Sequence, residues 1–363
     1  MKISNESLSL IYLDFLDVPY KKMEGIVSGL SLVTKIFELS KADLKYYLDK
    51  EHIEKISKTN IEEVRAEIES FLKKYSVEAI TILDEEYPYL LKQIDDPPFV
   101  LYTIGDKKLL NKKCFAIVGT RKPTFYGRDV ANDFSAKIAK SGLVTVSGLS
   151  YGIDACCARE TLKAGGKTIA VLAGGLDNIY PSENVGLARE IAQKGLLVSE
   201  YRPTIRPKQY TFIRRNRIIS GLSEGTLVVE AGVHSGATST AMFAIEQGRE
   251  LFCVPGNITS EQSKGTNELI SRYPECLTLS PKDILDRFGI ASRKEKKTEI
   301  QLDLISSQIL NLLDDGEMHI DEICENLKLN MQEISTKLSM LEIMGKVRKL
   351  SGNYYEKINS VNY

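Results

Sequence analysis

The chain has 363 residues, 43% of them hydrophobic, and a net charge of −1; the length allows two or three domains with buried cores. The near-neutral balance excludes a globally basic protein, so a nucleic-acid site has to come from local segregation of charge. Six cysteines at 114, 156, 157, 253, 276 and 324 form no CxxC pair and have no histidines beside them, which argues against a disulfide framework or a zinc site and for buried, reduced thiols in a cytoplasmic protein.

No early segment has the charged-then-apolar layout of a signal peptide, and no apolar run approaches the ~20 residues that span a bilayer. A soluble, cytoplasmic protein without a membrane partner is expected. Residues 1–75 read as a small helical domain. LSLIYLDF, MEGIVSGL and LVTKIFEL are short apolar stripes, and Asn60 with Glu63 makes a capping box for IEEVRAEIESFLKK, whose Ile61, Val64, Ile68, Phe71 and Leu72 keep helical spacing. A SAM-like or helix-hairpin-helix module fits this outline. Residues 76–110 are an approach segment in which VEAITILD and FVLYTIGD are strand-like; Pro88, Pro97 and Pro98 bar a continuous helix between them. It is expected to pack against the sheet that follows.

From Lys113 to Leu279 the chain repeats one plan: CFAIVG, LVTVSG, TIAVLAGG, LLVSEY, TLVVEAG and LFCVPGN each end in a small-residue turn and pass into a helical pattern. Such runs predict buried parallel strands with crossover helices, a doubly wound α/β sheet extending to about residue 290. Ligands of these sheets sit outside the strands' carboxyl ends, where Gly119-Thr120-Arg121, Ser147-Gly148 and Ser235-Gly236 fall. Helix N-termini there suit phosphate.

Residues 291–300, around SRKEKKTE, form a charged linker. In residues 301–363, Ile305, Ile309 and Leu312, then Ile320, Ile323 and Leu327, then Ile334, Leu338 and Leu341 imply three helices. The third is capped by Asn330 with Glu333 and stopped at Gly345. KVRKL, SGN and YYEKI complete a hairpin, so the tail is a winged helix-turn-helix. It carries six Lys or Arg against ten Asp or Glu, a net −4, and its presumed recognition helix, Met331 to Met344, offers only Lys337 against Glu333 and Glu342. Duplex affinity should be weak, because phosphate neutralisation dominates such binding; a protein-contact or dimer-modulating tail fits better.

Ligand motifs are sparse. GGKT at 165–168 lacks the glycine a phosphate loop needs, Thr161 standing in its place, and precedes its strand instead of following one. GxGxxG follows no strand, so no cofactor is expected. His234 beside Ser235 makes no catalytic triad. Asp154, Glu200 and Glu230 at strand ends are read as acceptors for loop N–H groups, ahead of a role as general bases. The strongest local signal lies in the seventeen residues from Tyr201 to Arg217, which hold Arg202, Arg206, Lys208, Arg214, Arg215 and Arg217 and no acid. With Arg121 and Lys122 on the same rim, and Tyr201, Tyr210 and Phe212 interleaved, this pattern suits single-stranded nucleic acid: arginine for phosphate, aromatics for bases.

The runs AIVGTRKPTFYG, VSGLSYGIDA, TIAVLAGGLDNIYPSEN, LVSEY, FIRRNRIISGLSEGTLVVEAGVHSGATSTA and EQGRELFCVPGN with SKGTNELI, about 165 residues in order, resemble the DNA-processing protein A (DprA/Smf) family of bacteria. The resemblance implies an extended Rossmann-like domain that binds single-stranded DNA without catalysis, forms homodimers, and loads a RecA-type recombinase onto incoming DNA in natural transformation. By position it implies a DNA pocket of Gly119, Thr120 and Arg121 with Phe212, Arg215, Asn216 and Arg217; Ser147, Gly148, Arg214, Ser235 and Gly236 join them from the strand-end reading. Arg121 and Arg215 are expected phosphate contacts, with structural pairing to Glu200 or Glu230 as the alternative. The chain departs from the family pattern at Tyr151, which replaces an arginine, and at Ala158, where a histidine is common. Two competing functions weigh less: a Rossmann-like nucleotide phosphoribohydrolase, whose double glycine and trailing glutamate are missing from VVEAGVHSGATSTA, and a winged-helix regulator, disfavoured by the tail's acidity.

Overall fold

The computed structural model describes residues 3–290 and 303–358; the expected linker at 291–300 lies outside them. Two compact units divide the chain, Met1–Arg293 and Lys294–Tyr363.

All six apolar runs become strands: β3 (Cys114–Val118), β4 (Val144–Ser147), β5 (Thr168–Val171), β6 (Leu196–Ser199), β7 (Gly225–Val228) and β8 (Glu250–Cys253), preceded by β1 (Glu78–Thr81) and β2 (Val100–Gly105). They form one sheet in the order β1-β2-β6-β5-β4-β3-β7-β8. β3 to β8 are parallel. The approach segment therefore extends the sheet edge to edge, β2 running antiparallel to β6 with Tyr102 opposite Ser199, where packing against the sheet was expected. Its apolar Val100, Leu101 and Tyr102 are buried and complete that side.

Alternation explains why these strands read as continuous apolar runs. Cys114, Ala116 and Val118 of β3 belong to one core and Phe115 and Ile117 to the other, because successive side chains point to opposite faces and helices cover both. The helices Asn5–Phe15, Tyr20–Gly29, Lys50–Ile56 and Ile61–Tyr75 share the first core: buried side chains run without a break from Leu10 and Ile68 through Leu101 to Val198. Asn60 caps the last of these helices through Glu62 and Glu63 N–H, as its spacing predicts. All six thiols are free, and burial pushes those of Cys114 and Cys157 up to about 12 and about 11.

From β3 the chain steps outward through β4, β5 and β6, then returns by the helix Gln209–Gly221 to β7 on the other flank of β3. The order reverses there. The loops after β3 and β7 part at that switch point and leave a crevice at the strands' carboxyl ends.

The second unit packs helices Leu304–Leu312, Ile320–Leu327 and Met331–Ile343 on a sheet of β9 (Met318–His319), β10 (Val347–Lys349) and β11 (Tyr354–Lys357) in the order β10-β11-β9. Ile309, Ile323, Ile334, Leu338 and Leu341 fill its core. Asn330 accepts the Glu333 N–H at 2.9 Å, and Gly345 takes a φ of 66° just past the third helix.

Candidate nucleic-acid interface

The crevice is a cleft of about 710 Å³ lined by Gly119, Thr120, Arg121, Lys122, Tyr180, Phe212, Arg215, Asn216, Ser235 and Gly236, among others. Its first wall is the loop after β3, which buried hydrogen bonds hold in place. The Glu230 carboxylate accepts the Thr124 N–H at 2.9 Å and its hydroxyl at 2.6 Å, and the Glu230 carbonyl accepts the Thr120 N–H at 2.6 Å. Gly152, with φ 76°, comes so close to this loop that a Cβ would lie 2.8 Å from Pro123 Cδ. Only glycine fits that close approach at positive φ without strain. The loop's backbone is thereby fixed while Arg121 and Lys122 stay exposed.

The opposite wall is the first turn of the helix Gln209–Gly221. Phe212 faces the cleft with the Arg121 guanidinium 5.4 Å from its ring centre, within range of a cation–π contact. Tyr180 meets Phe212 edge to face, centroids 5.4 Å apart and planes at 71°. Tyr180 was missed by the reading of residue types, although it sits in a run already recognised; an exposed aromatic in a loop beyond a buried strand was the available signal.

Below these aromatics the arginines change role. Arg215 is 3% exposed. Its Nη1 donates to the carbonyls of Gly148, at 2.6 Å, and Val171, tying together the ends of β4 and β5. Burial pulls its pKa down to about 10, against the opposing pull of Asp154. Asp154 is in turn pushed up by burial, with Arg215 working against that, and it accepts the N–H groups of Gly148 at 3.0 Å and Ser150 at 3.4 Å. Asn216 accepts from Arg215 Nε at 3.2 Å and donates to the Gly236 carbonyl at 3.1 Å, fixing the start of the helix Gly236–Glu246. Arg215 and Asn216 thus form the floor of the cleft. Arg215 lines the cleft and is bonded to the Gly148 and Val171 carbonyls and to Asn216; among the described residues it forms no ion pair with Glu200 or Glu230, the partners named in the alternative reading.

Four other expected site residues lie off the cleft. Arg217 is 4% exposed and pairs with Glu200 at 2.7 Å and Asp96 at 3.1 Å. Arg214 leans toward the same two acids at 3.6 and 3.7 Å, its side chain 39% exposed. Ser147 is fully buried within the sheet, its hydroxyl on the Asp154 carbonyl at 3.4 Å. Gly148 is buried beneath the Arg215 guanidinium, where a Cβ would collide with it. Arg202 also leaves the rim, donating to the Phe15 carbonyl at 2.7 Å and pairing with Asp17. The acid-free run is therefore partly neutralised, by Glu200 just before it and by Asp96 and Asp17 distant in sequence. Arg121, Lys122, Arg206 and Lys208 remain exposed, and among the described residues none of these four makes an ion pair.

Residues 78–289 match the model of the family described as DNA recombination-mediator protein A, and residues 293–353 match that of the DprA winged helix domain. The DNA processing protein DprA of Bacillus subtilis is 42% identical over 233 residues, which cover 63% of this chain and 78% of that protein. Protein Smf of Escherichia coli is 36% identical over 280 residues, 74% of this chain and 75% of its own. Among solved structures, DprA from Streptococcus pneumoniae superposes with a TM-score of 0.64 at 32% identity, over 79% of this chain and 98% of that one. A DprA structure from Helicobacter pylori, reported for its single-stranded DNA binding mode, does so with a TM-score of 0.54 at 32% identity, over 58% and 95%.

Proposed function

The chain belongs to the DNA recombination-mediator (DprA/Smf) family, and from that premise we propose that its cleft binds single-stranded DNA with little sequence selectivity. The observation that carries this reading is the cleft wall itself. An exposed arginine lies over a half-buried aromatic at the switch point of the sheet, with Lys122 beside it, so the facing walls offer a phosphate contact and a base-stacking plate within one nucleotide's reach. The fixed backbone of the loop and the buried Arg215 floor mean that little of the site has to be ordered on binding. The Helicobacter relative supports the choice of ligand. We propose further, from the family resemblance, a homodimer in the cytoplasm that hands its bound strand to a RecA-type recombinase during recombination and transformation. The catalytic alternative draws no support from Asp154, Glu200 or Glu230, all three occupied in holding loops or arginines.

Binding of one oligonucleotide, single-stranded and duplex, at two salt concentrations tests the reading. Tighter binding of the single strand, weakening as salt rises, is the expected outcome; equal affinity for the two forms overturns it.

A further inference from the structure

A second groove of about 500 Å³ adjoins the cleft across a shared wall made of Ile213, Ser235 and Gly236. Ile213 is 55% exposed. It stands in the same helix turn as Phe212, between the two spaces.

The chemistry of the second groove differs from that of the cleft. Val233, Met242 and Leu269 give it apolar walls. Its only charged lining groups, Glu268 and Arg272, pair with each other at 3.1 Å, so a phosphate would find a carboxylate there and no unpaired cation. The side chains of His234 and Ser239, by contrast, have no partner among the described residues. Flat apolar walls with a few open polar groups describe a site for a heteroaromatic ring with hydrogen-bonding edges.

We propose that this groove receives an unpaired base of the same strand whose neighbouring nucleotide occupies the cleft, with Ile213 wedged between the two bases. The inference rests on the single-strand reading of the cleft. Continuity of the two spaces carries it: a strand leaving the cleft over the Ser235–Gly236 turn enters the groove directly. Phosphates are neutralised at Arg121 and Lys122, and the groove contributes contact with a base.

Two variants confined to the groove test this. Ser239→Trp fills it, and Val233→Glu, in an exposed turn where folding is least at risk, puts a carboxylate at its mouth. Affinities are measured for two oligothymidylates, one of about four and one of about twelve nucleotides, chosen within the range single-strand binders cover. Both variants should bind the short strand within about twofold of the parent and the long one at least about fivefold more weakly, the low end of a lost base contact. For the uncharged Ser239→Trp the slope of affinity against salt should not change, because no phosphate is neutralised in the groove. In a twelve-nucleotide strand lacking its bases at the positions outside the cleft, parent and variants should converge. Parental affinity of both variants for the long strand overturns the proposal, as does equal loss for short and long strands. A parent that binds neither strand overturns the cleft reading instead.

Discussion

The loop after β3 and the helix Gln209–Gly221 both carry arginines at this end of the sheet, but Arg121 is exposed over Phe212 while Arg215, on the cleft floor, and Arg217, off the cleft, are 3% and 4% exposed and bonded to neighbouring groups. Arg121 has its charge available to a ligand. The inner pair have spent theirs on Gly148, Val171, Glu200 and Asp96. Charge counted along a sequence is thus a poor measure of charge presented at a surface: a guanidinium with five donors is as well suited to gathering loose strand ends as to holding phosphate. Arg215 gives the cleft its floor, and the outer cations give it its field.

The comparison is most easily broken at Arg217. Removing it leaves the Glu200 carboxylate, 8% exposed, with only the partly exposed Arg214 at 3.6 Å to offset it, so Arg217→Ala should lose roughly 3–5 kcal/mol of unfolding free energy, the scale of a broken buried pair. Chemical denaturation measures this directly. A parental midpoint would mean that Arg217 is as free as Arg121.

Arg215→Ala should cost somewhat less stability, about 2–4 kcal/mol, because it strands the buried carbonyls of Gly148 and Val171 while Asp154 keeps its backbone N–H donors. Lysine should not restore it, since one ammonium lacks the planar geometry that reaches both strand ends. Lysine recovering full stability would show that charge alone matters here. Arg121→Ala should do the reverse of both: melt like the parent and weaken single-strand binding by about 1–3 kcal/mol, the scale of one charge-assisted contact. A lower melting temperature with unchanged affinity would move Arg121 to the inner set.

The same contrast shows what was legible in the sequence. The strands were, because burial on both faces writes itself as an unbroken apolar run, as in Phe115 to Val118. Helix starts at Asn60 and Asn330 were too, since a cap acts over three residues. The turn-fixing part of Glu230 followed from its place at a strand end; Asp154 does the same from the first turn of the helix Ile153–Lys163. What could not be read was any pairing across long separations: Arg217 with Asp96 spans 121 residues and Arg202 with Asp17 spans 185. Each arginine's role depends on an acid whose proximity only the folded topology creates. The joining of β2 to β6 escaped for the same reason, because edge pairing depends on topology and leaves no local mark.

The smallest effect is expected from the second unit. Deleting residues 296–363 should change single-strand affinity by less than about threefold, because the tail from Gln301 carries ten acids against six bases and phosphate neutralisation dominates such affinity. Its recognition helix Met331–Ile343 has one base, Lys337, and that side chain is held by Asp303 at 3.0 Å. On the wing, Arg348 pairs with Glu356 and Lys357 with Asp314. Met331, Met340 and Ile343 are exposed on the same helix, Ile343 at 88%, and none of them carries a hydrogen-bonding group with which to read a base edge. The unit packs its own core, so its removal does not open the sheet. Loss of more than about tenfold in single-strand affinity by a truncated protein that still melts cooperatively would place a second DNA contact in the tail, and the division between shaping and binding charges would have to be redrawn across both units.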